Sequence, residues 1–228
     1  SLIVALLLFP FFKGSMSLKI IYLASLLGYA THGLLDACTS YGTQLFWPFS
    51  DERVTWNNIS IVDPIFTLPI AVLLIIAITT RRRIFSFIAI GWITFYLSLG
   101  FVQYERTLSA AMHLADSRGH NAERLTLKPS FGNLILWKSI YQHDDVYFVD
   151  AIRTVYSSTW CSGESIRKFD YEYHLPSLDK SSQQARDIER FRWFSQDYLG
   201  YDEEDNLVTD IRYSMLPNQI APMWGIVI

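Results

Sequence analysis

Cysteine is scarce in this chain. Cys38 and Cys161 are the only two, they stand far apart, and neither belongs to a metal-ligand spacing. That excludes a disulfide framework and a cysteine-based zinc site, and two free thiols are expected. Net charge is small as well, -3 at pH 7, so there is no basic excess to recruit a nucleic acid. Ser157-Ser158-Thr159 and Ser162-Gly163 lack the pattern of a nucleophile elbow. No glycine loop is built to cradle a phosphate, and there is no internal repeat or low-complexity tract. The opening run SLIVALLLFPFF lacks the basic flank of a signal peptide.

What the chain does have is apolar runs. Apolar residues make up 50% of it and gather before residue 103, whereas most charge follows. The division predicts a membrane α-helical part, residues 1–123, and a water-soluble α+β domain with an antiparallel sheet, residues 124–228. About four transmembrane helices are expected, since a span needs about 20 apolar residues. Leu2 to Phe12 is too short and reads as a truncated first span. The others are Leu18 to Ala37, Ile61 to Thr80 and Ile84 to Val102, the last continuing as an amphipathic helix to Arg118. The C-terminal MWGIVI reads as a buried strand, and with both ends cut short the chain reads as a fragment of a longer protein.

Basic residues set the orientation. Lys13, Lys19 and Arg81-Arg82-Arg83 all fall in the loops of one side, which the positive-inside rule keeps in the cytoplasm. The loop 38–62, Asp63 and the domain after residue 103 then lie on the outer side.

In the domain, Leu134 to Tyr141 and Val146 to Tyr156 form a predicted hairpin about the turn His143-Asp144-Asp145. Residues 160–178 read as irregular, 181–196 as a helix opened by Asp179 or Ser181, and 206–214 and 222–228 as strands. His113, His120 and His174 stand alone in the sequence. Asp210 and Arg212 alternate on a strand and read as a surface ion pair, with anion binding by Arg212 as the alternative.

The sharpest stretch is HGLLDACTSYGTQLFWPFS, His32 to Ser50. His32 and Asp36 are four apart near the end of an apolar helix and so share a face. Ionisable groups there are costly unless they meet a partner or water. An imidazole with a carboxylate suits zinc or another divalent metal ion. The plainer reading pairs the two with each other or with lipid head groups. Asp63 opens the third span on the same side and either completes the cluster or caps a helix whose first residue is Pro64. Thr39, Ser40 and Thr43 either orient a ligand or close the helix end, and Gly42 permits a turn. Trp47 and Phe49 read as interfacial aromatics. Asn58-Ile59-Ser60 has the form of a glycosylation sequon but reads as unmodified.

These residues carry a family resemblance. His32, Asp36, Thr39, Gly42 and Trp47-Pro48-Phe49-Ser50 resemble the H-x-x-x-D…T-x-x-G…W-P-F-S stretch of the YdjM-type inner-membrane metal-dependent hydrolases. Asn133 to Lys138, Phe194-Ser195 and Asp210 to Tyr213 are similar to later segments of that family, with looser motifs. The family pattern also has a His-Arg-x-x-Thr-His-Ser stretch before its first helix, of which Ser1 would be the last residue. The resemblance implies a hydrolase of the inner (plasma) membrane, with His32 and Asp36 as metal ligands and Asp63 as a ligand or catalytic base. A site at the lipid–water boundary suggests an amphiphilic small-molecule substrate, such as a phospholipid or lipid-linked phosphate. The competing reading is a non-enzymatic membrane protein whose outer α+β domain binds a partner or envelope component. A transporter is disfavoured, because no charged residue lies near the midpoint of a span.

Overall fold

The computed structural model describes residues 1–221 and 223–228; Pro222, the first residue of the expected last strand, lies outside them. Among the described residues there are six helices and seven strands: α1 Leu2–Phe12, α2 Leu18–Ala37, α3 Pro64–Thr80, α4 Ile84–Ser117, β1 Glu123–Pro129, β2 Leu136–His143, β3 Val146–Thr154, β4 Ser158–Arg167, α5 Tyr171–His174, α6 Gln183–Phe194, β5 Leu199–Asp202, β6 Leu207–Asp210 and β7 Gly225–Val227.

Two helices, α2 and α4, are long and apolar enough to cross a membrane; α1 and α3 are apolar but have 11 and 17 residues. α1 packs on α2, and α3 on α4. Large apolar side chains such as Leu7, Phe11, Leu27, Leu68 and Ile78 point outward along these hairpins, the arrangement that lipid tolerates and water does not. Asp63 starts α3: its carboxylate accepts from the Phe66 amide at 3.1 Å, with Pro64 in the first turn.

α4 is one unbroken helix of 34 residues, about 51 Å at 1.5 Å per residue. That exceeds the roughly 30 Å of a bilayer core, and its C-terminal half docks on the domain. There Ala111 packs with Leu127, Trp137 and Ile152. Burying Leu127 and Ile152 contributes about 1.5–3 kcal/mol each. Gln103 on α4 donates from its Nε2 to the carbonyls of Leu134 and Thr154, each at 3.0 Å.

The domain holds a four-stranded antiparallel sheet in the order β1-β2-β3-β4 and a three-stranded one in the order β5-β6-β7. The expected hairpin is β2–β3. The stretch 160–178, expected to be irregular, begins with strand β4. As an edge strand with most side chains in solvent it shows no apolar alternation. β7, expected to be a buried strand, is a short strand at the edge of its sheet with exposed ends. The helix expected over 181–196 is α6, capped by Ser182, whose hydroxyl accepts from the Ala185 amide. Cys38 is buried, Cys161 is exposed, and both are free.

Candidate functional site

The His32–Ser50 stretch begins in the last turns of α2. His32 Nε2 lies 3.4 Å from Asp36 Oδ2, on an open face where the side chains are 71% and 46% exposed. His32 also lines the groove between α1 and α2, beside Val4 and Gly28. The end of α2 is closed by its own motif. The Thr39 hydroxyl donates to the Asp36 carbonyl at 2.8 Å. The returning loop supplies the rest, as Trp56 N–H donates to Ala37 O and Asn58 N–H to Cys38 O. Carbonyls that a helix end leaves orphaned are thus satisfied. A bridge between Thr43 and Val54 completes the loop. Gly42 turns it with φ +89, and a Cβ there would lie 3.0 Å from Arg53 Nε.

His32 and Asp36 offer an imidazole and a carboxylate of the kinds a divalent ion takes. Two donors are not a full set, and among the described residues no three His, Cys, Asp or Glu side chains stand close enough to hold a metal ion. Asp63 is engaged elsewhere. It is buried, one oxygen caps α3, and the other accepts the Tyr96 hydroxyl at 2.8 Å. Asn58, the sequon asparagine, is fully buried and donates to Leu97 O, so the loop is locked onto α4.

The segments that carried the looser resemblance converge on the other side of the same loop. The Ser40 carbonyl accepts the Tyr213 hydroxyl at 2.8 Å. The Tyr41 ring stands edge-on to Phe194 at 5.8 Å. Arg53 reaches across to donate to Phe194 O and Tyr41 O, each at 2.6 Å, and its guanidinium lies over the Phe194 ring. Arg212 donates to the same Phe194 carbonyl and to Gln196 Oε1. Ser40, Tyr41 and Arg53, in the loop after Asp36, therefore join the helical part to the domain.

Asp210 and Arg212, expected as a surface pair, are 0% and 3% exposed and form a two-pronged ion pair at 2.7 and 2.8 Å. The expected strand over 206–214 is β6, which ends at Asp210, so Arg212 stands in the turn that follows and the two do not alternate on one strand. Arg118 and Asp150 form a second two-pronged pair, and that contact holds the Arg118 guanidinium well above its ordinary pKa. His120 is not isolated: its ring stacks on His143 at 4.5 Å and its Nδ1 lies 2.8 Å from the Tyr141 hydroxyl. Its pKa is lowered, first by desolvation and then by His143 and Arg118.

Sequence reasoning passed over two buried lysines. Lys128 and Lys138 are partners in the β1–β2 register, and both are almost wholly buried. Burial pushes Lys138 down to about 7 and Lys128 well below its ordinary value, with Arg212 the next cause for Lys128. The visible signal was the Leu125-Thr126-Leu127-Lys128 alternation, which puts Lys128 on the face opposite the two leucines.

No curated protein and no solved structure matches the chain. Residues 1–107, a stretch that holds α1 to α3, most of α4 and the His32–Ser50 motif, match the family model described as YdjM inner membrane protein.

Proposed function

We propose that the chain is a multi-pass membrane hydrolase that depends on a divalent metal ion, with His32 and Asp36 as two of the ligands. The observation that carries this reading is the pair itself, 3.4 Å apart and exposed at the end of an apolar helix. An ionisable pair in that place is expected to serve function more than stability, and exposed pairs of this kind add little to folding. α1 and α3 complete four spans in this reading, and the α+β domain stands on the outer side.

A divalent ion, zinc by ligand type, would lower the pKa of a bound water or polarise a phosphoryl or acyl oxygen. The chain's own residues hold and orient: His32 and Asp36 keep their spacing because both ride on α2, and Thr39 fixes the helix turn beneath Asp36. Asp63 anchors the loop by accepting from the Phe66 amide and the Tyr96 hydroxyl. An amphiphilic phosphoester or lipid is the substrate class that a site at this level of the membrane would meet.

The test is metal content. Purified protein should carry a stoichiometric divalent ion, and His32→Ala or Asp36→Ala should each reduce it to background. Bound metal unchanged by both substitutions, or none in the parent protein, overturns the assignment and leaves the non-enzymatic reading, in which the outer domain engages a partner.

A further inference from the structure

The second feature of the molecule that points to a ligand is a cavity of about 570 Å³ between the 38–62 loop, the β1–β2 edge and the segment after β6. Its deep side is cationic. Lys128, Lys138 and Arg212 line it, and they are 6%, 5% and 3% exposed. Two carboxylates act on Lys138: Asp210, both of whose oxygens Arg212 takes, and Glu164, which accepts the Ile220 N–H at 2.7 Å. Among the described residues no carboxylate lies within 4.0 Å of either lysine. Lys138 donates to Ser214 Oγ at 2.7 Å and Gln219 O at 2.8 Å. Lys128 has less: the Ser40 carbonyl at 3.5 Å and the face of Tyr213 at 3.6 Å. Placing like charges directly opposite on paired strands is unfavourable, and a buried charge without a counter-charge is costly. Both penalties apply once the two amines are protonated, and an anion between them offsets both.

The mouth of the same cavity is apolar and open. Phe131 and Met215, 72% and 81% exposed, stand with Ile61, Val62 and Leu216 around it. It also adjoins the membrane part. Gly132 N–H donates to Val62 O at 3.2 Å, and a Cβ on Gly132 would lie 3.2 Å from Pro64 Cδ, so the Phe131 loop rests on the first turn of α3. Exposed Ile65 and Leu68 continue the apolar strip along that helix. A soluble anion would use the cationic floor only. A molecule with an anionic head and acyl chains uses the floor, the mouth and the strip together.

We propose that this cavity binds the phosphate-bearing head group of an anionic amphiphile, its phosphate between Lys128 and Lys138 and its chains leaving past Phe131 along α3. This site is separate from the His32–Asp36 pair and stands whether or not that pair holds a metal. Protonation supports it: in the empty cavity burial favours neutral lysines, and an arriving phosphate draws the protons back.

The experiment uses the whole chain in a neutral detergent and reads binding by native mass spectrometry and by thermal shift. The probes are dioctanoyl phosphatidylglycerol, dioctanoylglycerol, which lacks the phosphate, and inorganic phosphate. Phosphatidylglycerol should bind and raise the melting temperature, and dioctanoylglycerol should not. Lys128→Met should weaken binding by about tenfold or more, the worth of one charge-assisted hydrogen bond, and should leave the unliganded melting temperature equal or higher. A lysine with a purely structural role would instead give a variant that melts lower and binds as before. Lys138→Met carries the test if the first variant does not fold. Inorganic phosphate binding as tightly as the lipid would identify a soluble phosphate as the ligand and keep the anion site. Equal binding of dioctanoylglycerol, or phosphatidylglycerol binding unchanged in both lysine variants, overturns the proposal.

Discussion

The buried charges of the domain set its stability residue by residue. Arg212 and Asp210 are sealed from water and hold each other with two hydrogen bonds. Removing one partner strands the other, which costs about 3–5 kcal/mol. Asp210→Asn is therefore expected to lower the unfolding free energy by that amount, read from denaturant titration by tryptophan fluorescence, since Trp137 is fully buried. Lys138 gives a pH signature. Burial holds its pKa at about 7, below the ordinary lysine value, with Asp210 and Glu164 opposing the shift. Below about pH 7 the folded and unfolded chains are both protonated, and the folded one bears the cost of a buried charge. Between pH 7 and 10 the unfolded chain holds more protons, so stability rises with pH, by at most about 1.4 kcal/mol per unit for one group. Measured between pH 7.5 and 9, the parent protein should gain stability and Lys138→Met should gain less. The sequence displayed Arg212 as an anion-binding candidate, but it could not display burial. The residues that cover Arg212, Phe194 and Gln196, stand 18 and 16 positions away, and their contact depends on how α6 packs.

At the scale of elements, α4 decides the architecture. It begins as an apolar helix and ends as the support of a sheet, with no break at Gln103 where the character of the sequence changes. That change was readable, because apolar residues give way to Leu108, Ala111 and Leu114 at helical spacing. The close approach of the loop at Gly100 was not readable. A Cβ there would lie 2.2 Å from the Asn58 carbonyl oxygen, so the loop backbone rests directly on the helix. Gly100→Ala must push that backbone away, and overpacking of this kind costs about 1–3 kcal/mol. The expected result is a lower melting temperature together with faster amide exchange over residues 56–60. A melting temperature equal to the parent's would show that the loop yields without cost. Strand β4 stayed hidden for a different reason: its pairing with β3 is made by backbone groups, and its solvent-facing side chains carry no periodic pattern.

At the scale of the whole molecule, the question is which side of the membrane the domain occupies. Lys13 and Lys19 flank the α1–α2 turn, and Arg81, Arg82 and Arg83 form the α3–α4 turn. Both basic turns lie at the ends of the helical hairpins opposite the 38–62 loop, which Arg53, Tyr213 and Asn58 tie to the domain and to α4. If basic turns remain cytoplasmic, the domain faces outward, and the rigid ties carry His32, Asp36 and the lysine cavity to that side with it. The chain supplies its own reporter. Cys161 is exposed on β4, whereas Cys38 is 5% exposed at the end of α2. A membrane-impermeant maleimide should therefore label Cys161 in right-side-out vesicles and not in sealed inside-out ones, and Cys161→Ser should abolish the signal. Cys38 should react only after denaturation, which separates an inaccessible thiol from a buried one. Labelling confined to inside-out vesicles would place the domain in the cytoplasm, and both candidate sites would then draw their ligands from the inner leaflet.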